Sequence, residues 1–425
     1  MTHPPCRRFG PGAAPRGFGE GFGEVRDLAD EDARTLGRRL RQIRHSRRKS
    51  LRVIAELAGI SPSYLSRIEN GERALDRRSL IVALANALEV APTELTEVTL
   101  PASGEPGTDL AQDAIRLALL AVGMGRPGGE LLDTHTLTAR VSDLLDAQQA
   151  CQHDTVAAGL PGLIRDLHTS VAAGRYDGGL LELVTLLHVQ GTEAWLRDVG
   201  APLDLAWQAA TLAQDAADRL GDPQTRGLAA FGTTHGLIAA GAFDLAAMHL
   251  NEATSDVRTA TPDGQQLAGM LAFTSSLVAA AQRDEAEVSA PLELAADLAQ
   301  RTGEGNAYWF GFGPTNVGVW RMVLALEAGD HGQAATIAEQ LDPQRIPSPQ
   351  RRAAYWADYG RALARLRGRR EDATRALRRA ELISPARVHR HPFVRETLAE
   401  LLSHARRDAA ERELRGIAFR AGLLN

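Results

Sequence analysis

Between positions 34 and 52 the chain carries Arg34, Arg38, Arg39, Arg41, Arg44, Arg47, Arg48, Lys49 and Arg52 with no acid among them. Guanidinium and ammonium groups repeated at this density match the charge of a phosphate backbone. Alone, the run would serve equally well as a solvated helix face. No rival chemistry is legible elsewhere. The chain has no GxxxxGK[ST], HExxH or GxSxG, and no paired cysteine ligands. Cys151 with His153, and His389 with His391, lack the further ligands a metal would need. The expectation is therefore a protein that is not an enzyme, with no cofactor and no metal.

The cations would be positioned by the neighbouring stretch LRVIAELAGISPSYLSRIENG, from Leu51 to Gly71. Leu51, Ile54, Ala55 and Ala58 recur at helical spacing, and Gly59 stops that helix by accepting a left-handed conformation. Ser61 and Pro62 restart one as N-cap and first helical residue. The second helix packs on Leu65 and Ile68, leaving Ser63, Tyr64, Ser66 and Arg67 facing outward, with Gly71 as its stop. Two short helices across a tight turn are the arrangement that lays the second helix in the major groove of DNA. A preceding helix carries Leu36, Leu40 and Ile43 on one face. Ser79 is expected to cap a further helix bearing Leu80, Ile81, Leu84, Ala85 and Leu88, and Pro92 to open a short fifth one.

From Leu36 to Leu95 the segments LGRRLRQIR, LRVIAELAG, SPSYLSRIENG and LIVALANALEV resemble the Cro and cI type (XRE-like) helix-turn-helix domain of prokaryotic repressors. The resemblance implies a five-helix, lambda-repressor-like DNA-binding domain that acts as a homodimer on double-stranded DNA with a pseudo-palindromic operator. The family's base-reading positions fall on Pro62, Ser63 and Arg67. Proline has no side-chain donor, so reading would lean on Arg67, whose fork can bond both acceptors of a guanine. The implied contact set is Arg38, Arg48, Ser50, Arg52, Ser61, Pro62, Ser63, Tyr64, Ser66 and Arg67. Where the family has a phosphate-clamping glutamine this chain has Leu51, so Ser50, Arg52 or a backbone N–H would take over. A buried pair common in the family would be Arg44 with Glu69, fixing helix orientation.

Residues 1–27 are rich in Gly and Pro and can bury almost nothing, so they read as a disordered tail. The DNA-binding domain spans 28–98, where 13 Lys or Arg against 10 Asp or Glu leave a net of +3. A linker occupies 99–108. From 109 to 425 Ala and Leu dominate at a period near 3.6, with no alternating strand pattern. Junctions repeat weakly as Ala173-Gly174-Arg175-Tyr176-Asp177, Ala240-Gly241-Ala242-Phe243-Asp244 and Ala328-Gly329-Asp330. Gly would end one helix, the aromatic plug the gap, and Asp cap the next, after which Ala246 or Ala334 permits close packing. Gly174 and Gly241 lie 67 residues apart, about two 34-residue tetratricopeptide periods. The fold class expected is all-α: the five-helix domain, then a tetratricopeptide-like α-solenoid.

This layout is similar to that of peptide-pheromone regulators of the Rgg and PlcR type. It implies a helical domain that binds a small peptide or other small-molecule ligand and dimerises the protein. The alternative is a constitutive repressor or antitoxin-like DNA anchor whose repeats recruit a protein partner. One segment could seat a ligand: Asn306–Trp320, NAYWFGFGPTNVGVW, holds five of the 20 aromatic residues. Trp309, Phe312, Asn316 and Trp320 are the candidate ligand residues there, although aromatics more often fill a core. The span Arg345–Arg420 has 19 Arg against 9 acids, either a second anion-binding surface or helix faces partly paired with acids. With no long apolar run, no apolar leader and only Cys6 and Cys151, a cytoplasmic protein that does not enter a membrane is expected.

Overall fold

The computed structural model describes residues 35–96, 106–174, 178–405 and 411–424. The tail at 1–27, the start of the first domain and the linker at 99–105 lie outside the described residues. The linker expected to reach 108 already gives way to helix at Pro106. Among the described residues the chain is helical throughout, and its one extended pairing is an antiparallel bridge between Gly305 and Phe312.

The first domain comprises α1 (Leu36–Ser46), α2 (Leu51–Leu57), α3 (Pro62–Glu69), α4 (Arg78–Leu88) and α5 (Pro92–Thr96). Local chemistry sets the boundaries of the first three. The Thr35 hydroxyl accepts from Arg38 N, Ser50 from Val53 N, and Ser61 from Tyr64 N, each the bond that satisfies an orphan donor of a helix's first turn. Gly59 and Gly71 close α2 and α3 at φ of 68° and 72°. Leu36, Leu40, Ile54, Leu65, Ile68, Leu84 and Leu88 form the core. α1 crosses α3 at backbone contact, since a Cβ on Gly37 would sit 2.1 Å from the Ile68 carbonyl oxygen.

α4 departs from expectation. It starts at Arg78, so Ser79 lies inside its first turn and does not cap it. The Ser79 amide donates instead to Glu327, 3.1 Å away, on a helix of the second region. The cap is supplied from 248 residues along the chain, which no local pattern reveals.

The helical body runs from Pro106 to Leu423. Successive helices pack on their sequence neighbours and on the next but one, as at Leu203–Leu220, Pro223–Ala240, Phe243–Asp256 and Pro262–Gln282. Three overlapping apolar clusters succeed one another along the chain, an arrangement compatible with a helical solenoid. Gly174, Gly241 and Gly329 adopt left-handed φ of 74–84° at helix ends, and Gly368 adopts 78° in the turn between two helices. Asp330 caps the His331–Gln340 helix through Gln333 N. Asp244 does not cap: it sits within the first turn of Phe243–Asp256 and accepts from the Gln282 amide at 2.7 Å. Ala246 and Ala334 are fully buried where helices meet. Pro161 and Pro291 lie inside helices, where each removes one backbone hydrogen bond.

The body departs from regular helix at two places. Between Gly178–Leu186 and Ala194–Asp198 the rod widens into a π-helical segment, Leu187–Glu193. Tyr308 and Trp309 both carry positive φ, 52° and 56°. The loop they form is pinned to the Thr134–Gln149 helix by Trp309 Nε1 donating to Asp146 and by Gln149 bonding Asn306.

Candidate nucleic-acid interface

α3 presents two unlike faces. Leu65, Ile68 and Glu69 point inward and are buried, whereas Ser61, Pro62 and Ser63 are exposed and Tyr64, Ser66 and Arg67 half-exposed. Around this outward edge stand Arg48, Ser50 and Arg52, all exposed, and Arg38, half-exposed on α1. The ten residues expected to contact DNA thus lie on the surface of one small domain. Arg48 holds φ 53°, an uncommon conformation for a residue other than glycine. The Arg67 side chain is 43% exposed and its Nε lies 3.6 Å from Glu72. In that state its guanidinium has only a weak, solvated partner to leave.

Behind this surface, Arg44 Nε and Nη2 bond the two oxygens of Glu69 at 2.6 and 2.7 Å, a bidentate pair with both side chains buried. Arg44 also donates to the Lys49 carbonyl. One side chain therefore ties α1, the turn before α2, and α3. Its role is geometric, because burying two charges offsets much of what their attraction contributes.

The opposite side of the domain is seated on the body by carboxylates. Glu396, on the Pro392–Ser403 helix, accepts from Leu36 N at 2.5 Å and Leu75 N at 3.3 Å. One turn on, Glu400 accepts from Ala74 N at 2.9 Å and pairs with Arg73 and Arg365. Glu327 takes Ser79 N and the Arg78 guanidinium, each at 3.1 Å. Asp76 returns the contact by pairing with Arg365 and Arg361 of the body. Phe393 completes the seat: it joins the apolar core of the first domain, with the Arg78 and Arg361 guanidinium groups over its ring. Burial pushes the Glu396 carboxyl up to about 7, against the two amide bonds that favour its charge. Burial would also raise Asp76, but Arg365 and Arg361 hold it below the ordinary carboxylate value.

These seating acids were not among the residues the sequence suggested. Their partners are backbone N–H groups some 250 to 360 positions away, and an amide has no residue signature. Many C-terminal arginines are likewise committed within the fold. Arg361 and Arg365 seat the domain, Arg369 pairs with Asp372 and Glu339, and Arg378 and Arg420 with Glu381, which also holds His389 at 2.6 Å.

The expected aromatic ligand site does not assemble as a unit. Phe312 is fully buried, with its ring filling the space where Gly269 lacks a side chain. Asn316 is buried against Met270, and Trp309 is spent on Asp146. Trp320 stacks on Phe273 at 5.2 Å and 11° and lines a cavity between the first domain and the body. The cause is long-range shape: a glycine 43 residues earlier makes the hole that Phe312 fills.

A protein-family model described as a helix-turn-helix domain matches residues 35–98, the span of α1–α5. No curated protein and no solved structure matches the chain. Domain and geometry together support a DNA-binding regulator. No helix among the described residues is long and apolar enough to cross a membrane.

Proposed function

We propose that the chain is a sequence-specific, XRE-like transcriptional regulator. In this reading it works in the cytoplasm as a homodimer on a pseudo-palindromic operator, catalyses nothing, and uses a tetratricopeptide-like body to sense a small ligand or peptide. The observation that carries the reading is the division of α3, with Ser63, Tyr64 and Arg67 open to a duplex while Glu69 is locked behind them by Arg44. One recognition helix spans only a few base pairs, so two half-sites about 34 Å apart supply the specificity a single one lacks. A seam for the second copy is at hand. Leu110, Leu117, Leu120 and Met124, on and just past the Pro106–Gly123 helix, are exposed at steps of seven, three and four, the spacing of paired helices.

Sensing is favoured over the alternative of a constitutive anchor with a protein-recruiting body by the seat itself. A tether would suffice for an anchor, whereas here three body glutamates hold the domain's backbone. Selection from randomised duplexes, then anisotropy titration, tests the reading. Arg67→Ala should cost about 1–3 kcal/mol of affinity and relax preference at one position per half-site. Unchanged affinity and selectivity would overturn the assignment. Leu117→Glu should sediment as a monomer; a dimer would remove the proposed seam.

A further inference from the structure

Between the first domain and the body lie two adjoining cavities, of about 340 and 450 Å3, that share Thr96, Arg197 and His235 in their walls. Sites of this size hold drug-sized molecules. Both domains build them. α4 and α5 contribute Arg78, Ile81, Val82, Pro92 and Thr96 to the smaller, and Leu36, Thr93 and Thr96 line the larger.

The smaller cavity has an apolar wall of Phe231, Trp320 and Phe393 and a cationic one of Arg197, Arg351 and Arg387. Its acids, Asp198 and Asp358, are already engaged, the first by Gln148, His153 and Gln350 and the second by Arg361. Arg351 is pulled down to about 10, by burial first and then by Arg387 and Arg197, so the three cations feel one another. Four residues of the cavity walls also carry a buried polar atom without a partner: Gln190 Nε2, Glu193 Oε1, Arg387 Nε and His391 Nδ1. Glu193 is only 4% exposed, and a buried polar atom left unpaired costs about 1–3 kcal/mol. Gln190 and Glu193 are delivered by the π-helical segment, a distortion common where a helix serves a site.

We infer that these cavities bind an organic anion with an apolar body, its anionic group on Arg197, Arg351 and Arg387 and its body along Phe231, Trp320 and Phe393. The side chains of Gln190, Glu193 and His391, which line the same walls, supply its remaining polar contacts. Because Arg78 lines the cavity and bonds Glu327, while Glu396 lines the neighbouring cavity and caps α1, occupancy bears directly on the seat. A ligand touching both domains favours the seated arrangement by its differential affinity for it. The site deepens the proposed sensor role and depends on it only for the coupling to DNA.

The test uses the full chain and 1-anilinonaphthalene-8-sulfonate, an aromatic anion that fluoresces on leaving water. It should bind at one saturable site, quench Trp320, and bind about tenfold or more tightly than uncharged N-phenyl-1-naphthylamine, the difference expected of one charge-assisted contact. Arg197→Met with Arg387→Met should abolish that preference. Displacement by 2-naphthoate or by an acetylated leucyl tripeptide with a free C-terminus would support the site and identify a free acid or a peptide end as its source. Equal affinity for the two probes, displacement by neither competitor, or a preference that survives the double substitution would overturn the inference. The comparison of probes on the unaltered chain needs no variant to fold. Retention of duplex without probe tests DNA binding separately, so failure of one reading is distinguishable from failure of the other.

Discussion

The two sides of the first domain use the same residue types to opposite ends. On the outward side Arg48, Arg52 and Arg67 are at least partly solvated. On the seated side Arg78, Arg361 and Arg365 meet carboxylates or the Phe393 ring, and Glu327, Glu396 and Glu400 are nearly buried and bond backbone amides. Charge in water contributes little to stability and remains available for a partner, whereas charge in the interior must be matched in place. One side is therefore suited to being occupied in turn by different molecules, and the other to staying put.

Substitutions can break that contrast. The largest effect is expected at Arg44→Ala, which strands the Glu69 carboxylate in the core and should cost about 3–5 kcal/mol of stability in urea titrations of the full chain. A loss below about 1 kcal/mol would mean that Glu69 finds water and the α1–α3 tie is dispensable.

Next comes pH. The Glu396 carboxyl is raised in the folded chain from 4.5 to about 7, so between those values the folded state binds the extra proton and stability falls as pH rises. The full penalty, on the order of 3 kcal/mol, is reached above pH 7. Glu396→Gln should flatten the slope over that window when its denaturation midpoints are compared with those of the unaltered chain. Parallel pH profiles would show that the seat does not depend on that proton.

The smallest effect belongs to the outward side. Arg48→Ala should leave stability within about 0.5 kcal/mol. It should weaken binding to all duplexes alike and lower the slope of log affinity against log salt by about 1. An unchanged slope would remove Arg48 from the phosphate contacts.

The recognition unit was legible because its grammar is local. Ser50, Ser61, Pro62, Gly59 and Gly71 act on residues within three or four positions of themselves, so their pattern survives in the bare sequence. The seat was not legible because no local pattern marks Glu396 and Glu400, and only the docked backbone makes them interior. Ser79 and Asp244 do not cap because their helices begin one residue before them, and each position instead bonds a distant side chain, Glu327 and Gln282. The aromatic segment divides for a different reason, since Gly269 marks the socket for Phe312 but its absence of a side chain names no occupant. The Arg197, Arg351 and Arg387 wall draws on helices whose convergence no spacing rule reports.

Glu327, Glu396 and Glu400 carry one more implication. A reading head bolted to its chassis has a fixed reach. In a two-fold pair of such chains with both domains seated, the separation and twist of the two α3 helices are dictated by how the bodies meet. An operator lengthened by one base pair, which turns one half-site about 34° around the duplex axis relative to the other, would then be rejected rather than accommodated.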